Sequence, residues 1–480
     1  MKLIIACMAS LVLLSGCDSD NTNKRGKDAN QEAPATTGAT TGKTTRETLK
    51  TGTAALTNKA PSKNLCEGQV THADRVKLKR VAKPPFMKYY RDPAFGTRVI
   101  RITNSARGQV HKPAYSTVQA WSAEESWLLL YQSGGDGQPK GHVLYDGQNY
   151  SRLKELDIVP GDIEEIFWSH SDDNLLYYVN HDKAQHGQFT SLDILTNKAN
   201  VIRDFTPMCK GSKISAGGDV QMPSYDDDLF GFHCEPDNKP MMFTYRISTD
   251  TVSMQPTGPG TPWETGLAPN ISPSGNSVFS QGKVLDDTLT DTLYDLDLAD
   301  FGEHSSMGRS ATGKDVYYQT VFKPSPRECG GDLWQGVGHL TEHSMNTGAC
   351  RPVVTQSAGW PPTTSGTHVS ALAHKRPGWV AMSSIGYGNF RHFGDESRRP
   401  PALMSEIYLV NASVTEPVLC RLAQHRSFGK DAENAIYKPY LGEPHATISP
   451  SGTRILFGSD WYDSGSVDSY VVELPAFERR

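Results

Sequence analysis

Glu443-Pro444-His445-Ala446-Thr447-Ile448-Ser449-Pro450-Ser451-Gly452-Thr453-Arg454-Ile455-Leu456-Phe457-Gly458-Ser459-Asp460-Trp461 reads as a strand, a tight turn and a second, more apolar strand. Pro450 presets one turn dihedral, and Gly452 supplies the positive φ that closes the reversal. One hairpin fixes no fold, whereas a hairpin repeated at a regular period does. Asn270-Ile271-Ser272-Pro273-Ser274-Gly275-Asn276-Ser277-Val278-Phe279 is a near copy, and looser copies run over 116–131, 165–179, 222–232, 306–318 and 368–382. With the quoted stretch these make seven, spaced mostly about 40 to 75 residues apart, within reach of four-stranded propeller blades carrying insertions. Further strand candidates follow them, among them His142–Tyr145, Ser191–Ile194 and Glu406–Val410. The last copy leaves room for only three strands, while Gly96–Thr103 is a strand-like run with no hairpin of its own. The pattern predicts an all-β chain, a seven-bladed β-propeller whose ring is closed by an N-terminal strand completing the last blade. Two packed β-sandwiches are the alternative.

Upstream of the repeats the chain begins with Met1-Lys2, an apolar run from Leu3 to Leu14, and Ser15-Gly16-Cys17. A charged start, a short apolar core and small residues before a cut site describe a secretory signal. Leu14-Ser15-Gly16-Cys17 resembles a bacterial lipoprotein lipobox. That resemblance implies a signal over 1–17, lipidation of Cys17, and export to the envelope, anchored on its periplasmic or surface side. An ordinary cleaved signal is the alternative. Residues 18–63 carry almost no large apolar side chains, cannot bury enough surface to offset ordering entropy, and are expected to be a flexible tether. The propeller then occupies 64–480.

The formal net charge of −5 gives no electrostatic footprint for nucleic acid, and a monomer is expected. Outside the leader six cysteines remain, an even number that suits disulfides in an exported chain. The pairs expected are Cys329–Cys350 within one loop region, Cys209–Cys234 between neighbouring strands, and Cys66–Cys420 pinning the N-terminal segment. A zinc site around His233-Cys234 is the alternative, since thiolate and imidazole suit that metal.

In a propeller, residues just before each inner strand, and those after the second strand, converge on one mouth of the central channel. Applied along the chain, this selects His111, Tyr115 and His142 in the first blade, then Glu164 and His181 in the second. Tyr225 and His233 follow in the third, Asn270 in the fourth and His304 in the fifth. The sixth gives His368 with Tyr387 and Arg391, and the seventh gives Glu443, His445, Asp460 and Trp461. His170 falls in a hairpin turn and belongs to the opposite mouth. Histidine titrates near neutrality and serves as acid, base or ligand. The chain carries no Gly-rich phosphate loop, His-Glu-Xaa-Xaa-His or nucleophile elbow.

The Ser-Pro-Ser-Gly hairpins, with His368 and His445 where inner strands begin, resemble bacterial propeller lyases of uronic-acid polysaccharides, the oligogalacturonate lyase and ulvan lyase types. TolB-like propellers share this kind of turn without being enzymes. The lyase resemblance implies β-elimination on an acidic polysaccharide. Arg391 or a His-bound divalent cation (Ca, Mn or Zn) would neutralise the carboxylate. His111, His142, His368 or His445 would be the base, and Tyr387 or Tyr115 the acid. Tyr115, His181, Tyr225 and Trp461 are the residues expected to bind substrate, with Trp360 a further aromatic that can stack on a sugar. The alternative is a non-catalytic TolB-like lipoprotein that binds an envelope protein or glycan.

Overall fold

The turn serine is the unit from which the fold is built. Ser449 accepts the N–H of Gly452 on its carbonyl at 2.8 Å, and its own N–H reaches the Arg454 carbonyl at 3.0 Å. Its hydroxyl oxygen takes the Arg454 N–H at 3.3 Å, a side-chain mimic of a backbone turn. Ser122, Ser224, Ser272 and Ser310 accept on their carbonyls in the same way. The residue three positions on lies at positive φ in all five turns, Gly275, Gly313 and Gly452 alongside Glu125 and Asp227. In the other direction, four of the hairpin turns are capped by an acid from the next blade. Asp173 takes the Glu124 N–H at 2.6 Å, Asp227 takes the Ser171 hydroxyl at 2.6 Å, Asp315 takes the Ser274 hydroxyl, and Glu125 takes the Ser451 N–H at 2.6 Å. Glu125 and Asp227 bear an uncommon backbone conformation because their carboxylates tie two blades together.

The computed structural model describes residues 64–134, 140–182, 186–216, 223–261, 267–296, 298, 304–321, 329, 339–361, 367–386, 400–413, 415, 417–433 and 435–479. Seven antiparallel sheets follow one another around a ring as blades. Blade 1 runs from Val110 to Glu155, blade 2 from Ile166 to Asp204, blade 3 from Leu229 to Pro256 and blade 4 from Asn270 to Asp295. Blade 5 runs from Ser305 to Val354, blade 6 from Thr367 to Gln424, and blade 7 from Thr447 to Glu473. The N-terminal strand Arg98–Arg101 completes blade 7 as expected, pairing Arg98 with Glu473, Val99 with Val472, Ile100 with Val471 and Arg101 with Tyr470. A further strand, Tyr89–Arg91, lies outside it as a fifth. Among the described residues no helix is long and apolar enough to cross a membrane. The leader with Cys17, and the expected tether, lie outside them.

Two inner strands depart from the hairpin pattern. In blade 1 the strand is broken: Val110–Lys112 pairs with the far end of Trp127–Ser133, and only Trp121 rejoins that partner, opposite Leu128. Tyr115 sits in the gap. In blade 3 the inner position is held by Ser215, bridged to His233, so Ser224 and Tyr225 are already turn residues rather than strand leaders.

The segment before the closing strand is fastened by chemistry the composition does not advertise. Cys66–Cys420 joins it to blade 6. Arg421 is held by Glu406 at 2.6 Å and donates to the carbonyls of His72 and Asp74. Arg426 pairs with Asp92 at 2.9 Å, both fully buried. Cys209–Cys234 and Cys329–Cys350 complete the expected pairing. The first of these two removes the zinc alternative, because Cys234 has no thiolate to offer. The apolar core lies between neighbouring blades, as with Phe189, Phe205, Phe230, Phe232 and Phe243 between blades 2 and 3. Each such ring contributes roughly 1.5–3 kcal/mol through burial.

Candidate active site at the strand-start mouth

At the channel mouth where inner strands begin, three histidines from consecutive blades meet. His304 lies just before the inner strand of blade 5, His368 is the second residue of that of blade 6, and His445 lies two residues before that of blade 7. The His304 and His368 rings stack at 4.5 Å, and His368 meets His445 edge-on at 4.4 Å. His304 and His445 take positive φ of 60° and 41°, uncommon for residues with a Cβ and the kind of local strain that collects at functional sites. Tyr115, freed by the break in blade 1, packs against His368 at 5.4 Å and His445 at 4.8 Å.

Glu443 enters the same cluster, its Oε2 lying 3.8 Å from His368 Nε2 and 3.7 Å from His445 Nε2. All three side chains are buried, and their ligand atoms lie within 4.8 Å of one another. Both ring nitrogens of His368, and Nε2 of His445, are buried without a hydrogen-bond partner among the described residues. Two ligands each about 2.1 Å from a first-row dication lie roughly 3–4 Å apart, so this His-Glu-His set fits one. Imidazole with carboxylate suits Mn or Zn better than Ca. In the other His/Cys group, Cys329, His343 and Cys350, both sulfurs are spent in a disulfide.

Lysines surround the cluster. Lys112 Nζ is 2.6 Å from His445 Nδ1, and burial pushes it down to about 8 against the pull of Glu164, Glu443 and Asp162. As an ammonium Lys112 donates to Nδ1 and puts the ring proton on Nε2, facing Glu443; only as a neutral amine does it accept the Nδ1 proton and free the Nε2 lone pair that a metal needs. Lys430 lies 3.6 Å from Glu443 Oε1, and Lys430 and Lys438 flank the Tyr440 ring at 5.3 and 5.5 Å. Burial drives His304 down to about 4, with the Thr367 carbonyl opposing and Lys430 assisting. It drives His368 and His445 well below the usual histidine range, assisted by neighbouring positive charge. All three are neutral imidazoles near pH 7.

Of the residues expected at this mouth, His304, His368, Glu443, His445 and Tyr115 come together, with Glu164 acting on the neighbouring Lys112, and several other described ones lie elsewhere. His111 points away because strand neighbours face opposite sides. It meets the Ser105 hydroxyl at 2.8 Å and lines a groove of about 430 Å³ with Asn104, Gln132 and Arg152. Its neighbour Lys112 takes the channel position. His142 is bound to the Ile163 carbonyl at 2.8 Å, and His181 to that of Ile214 at 2.5 Å. Tyr225 lies at the opposite mouth, 4.6 Å from His170, because the inner strand of blade 3 is displaced upstream. Trp461 is a packing residue stacked on Tyr470 at 4.9 Å, and Trp360 is buried in the core between blades 5 and 6. Tyr387 and Arg391 lie outside the described residues. Lys112, Lys430 and Tyr440 were not expected. Lys112 is legible once the strand register is shifted by one residue, whereas the other two sit on the 428–442 connection, which repeats nothing.

No family model matches the chain, and no curated protein sequence matches it. Among solved structures, an oligogalacturonate lyase in complex with manganese aligns with a TM-score of 0.55 and 16% identity, over 85% of this chain and 99% of the other. An oligogalacturonate lyase from Vibrio parahaemolyticus aligns with a TM-score of 0.53 and 12% identity, over 84% of this chain and 99% of that one. TolB from Acinetobacter baumannii gives a TM-score of 0.33 and 11% identity, over 78% and 79%. At these identities the first two likenesses establish a common fold: the chain is a seven-bladed propeller similar to those of oligogalacturonate lyases.

Proposed function

We propose that this protein is a lyase cutting a uronic-acid-containing polysaccharide, pectate-like or ulvan-like, by β-elimination. The observation that carries the proposal is the convergence of His304, His368, His445, Glu443 and Tyr115 at one lysine-flanked mouth. Oligogalacturonate lyases share the fold, and one of them holds manganese. His368, Glu443 and His445 would hold a divalent cation here, and when bound it supplies the positive charge that makes the proton beside a uronate carboxylate acidic. Lys430 and Lys438 draw the acidic polymer to the mouth.

His304 is the base. Its Nδ1 lies 3.2 Å from the Thr367 carbonyl, so the ring proton belongs there and the lone pair on Nε2. It takes the proton on the carbon bearing the carboxylate. The freed electron pair becomes a double bond to the neighbouring ring carbon, whose bond to the glycosidic oxygen breaks. That oxygen leaves with the bond's electrons and takes a proton from Tyr115. Neither oxidant nor water is consumed. Burial alone makes His304 a weak base, and an anionic substrate raises its affinity for the proton.

Three disulfides support an exported chain, and anchorage through a lipidated Cys17 belongs to the same proposal. The test is release of an ultraviolet-absorbing unsaturated uronide. Purified protein is incubated with polygalacturonate, ulvan or alginate in the presence of manganese, and product is expected from at least one polymer. If none yields the chromophore, the lyase reading is abandoned in favour of a non-catalytic envelope-binding propeller.

A further inference from the structure

The opposite mouth of the channel, built from the hairpin turns, gathers a second set of polar side chains. His170 comes from the turn of blade 2, Tyr225 from that of blade 3 and His374 from that of blade 6, while Arg309 ends the inner strand of blade 5. The rings meet across the channel: His170 is 4.6 Å from Tyr225 and 5.2 Å from His374, and Tyr225 is 5.7 Å from His374. The Arg309 guanidinium lies 5.0 Å from the Tyr225 ring centroid. The Tyr225 hydroxyl and His374 Nε2 are buried without a hydrogen-bond partner among the described residues, and His170 Nδ1 and Arg309 Nε have only long contacts to carboxylates, 3.5 and 3.9 Å. A buried polar group left unsatisfied costs about 1–3 kcal/mol, and here such under-satisfied groups converge from four blades.

The acids nearby are committed to the turns. Asp227 accepts the hydroxyls of Ser169 at 2.7 Å and Ser171 at 2.6 Å and the His170 N–H at 2.8 Å, with His170 Nδ1 at 3.5 Å. Asp315 accepts the Ser274 hydroxyl and stands 3.9 Å from Arg309 Nε. Arg309 and Lys375 bring positive charge alongside them. Burial, then His170 and Lys375, push His374 down to about 3, with Asp227 opposing and Arg309 adding to the fall. Arg309 Nε and the Tyr225 hydroxyl are donors, and an arginine fork beside them matches a planar or tetrahedral oxyanion rather than a cation. The floor is narrow, because the Gln119 amide reaches the carbonyls of Leu372 and Ile448, both at 3.1 Å.

We propose that the turn mouth is a second binding site, for a small oxyanion (a carboxylate or a phosphate), held by Arg309, Tyr225, His170 and His374. It stands independently of the lyase proposal. The test is calorimetric titration of inorganic phosphate, and separately of acetate, into the full chain at low ionic strength. At least one anion is expected to bind saturably at one per chain, with Kd of about 1 mM or tighter. Whichever binds more tightly identifies the source as phosphate or carboxylate. Arg309→Gln weakens binding about tenfold or more, and Tyr225→Phe, which removes only the hydroxyl, weakens it about threefold. Arg309→Lys, which keeps the charge and loses the fork, falls between them, with melting curves confirming that each variant is folded. His304→Gln, at the other mouth, binds the anion as wild type does. No saturable binding of either anion below about 10 mM overturns the proposal. So do wild-type affinities in both Arg309→Gln and Tyr225→Phe, or an equal loss in His304→Gln.

Discussion

The two mouths of this channel are furnished from nearly the same set of side chains, histidines with a tyrosine and a cation, and differ in where the carboxylates point. At the strand-start mouth Glu443 turns inward, within 3.8 Å of both His368 and His445. At the turn mouth Asp227 and Asp315 turn sideways into the serines of neighbouring blades, and the cation left over is Arg309. Histidines around a carboxylate that no turn holds suit a cation; histidines beside an arginine, with the nearby carboxylates bound to turn serines, suit an anion. The turn mouth cannot easily change this, because its acids hold the blades together. At the strand-start mouth the histidines and Glu443 lie at or just before the starts of inner strands, away from the hairpin turns.

The largest effect that can break this contrast is on turnover. His304→Gln is expected to lower elimination about 10³-fold, roughly 4 kcal/mol of transition-state stabilisation, with the melting temperature unchanged. Wild-type turnover in that variant would leave the strand-start mouth without a base. Next is the pH dependence of stability. The folded protein holds His374 near 3, below the ordinary histidine value of about 6.5, so the unfolded chain binds the proton more readily. Its contribution is therefore complete above about pH 6.5 and is lost as pH falls toward 3. His374→Gln should flatten that acid limb in denaturant titrations, and an unchanged limb would show that this mouth carries no buried neutral histidine. Smallest is the effect on metal affinity. Glu443→Gln keeps the shape and removes the charge, and should weaken manganese binding about 10- to 100-fold by equilibrium dialysis. Undiminished manganese uptake would remove the inward carboxylate from the comparison.

Much of the architecture was legible before any coordinates, because it rests on local rules. A serine followed three residues later by glycine, aspartate or glutamate at positive φ makes its own turn whatever surrounds it. Copies of such a turn at blade spacing imply a ring, and a last blade short of one strand implies its completion by Gly96–Thr103. The cysteine pairs followed the same logic of neighbouring strands and loops. Residues at or just before the start of an inner strand that meet at one mouth, such as His304, His368, Glu443 and His445, follow from the same rule.

What sequence alone determined, then, is the repeat, the ring, its closure and the list of residues able to reach a channel mouth, all properties of short segments and their spacing. Tertiary structure decided which of those residues meet. A break in one inner strand brought Tyr115 inward, and the alternation of strand faces put Lys112 rather than His111 in the channel. The upstream shift of another, to Ser215, delivered Tyr225 to the far mouth. Side chains alternate along a strand, so a displacement of one residue reverses a direction, and a displaced strand exchanges one end of the channel for the other. Only the packed ring sets that register.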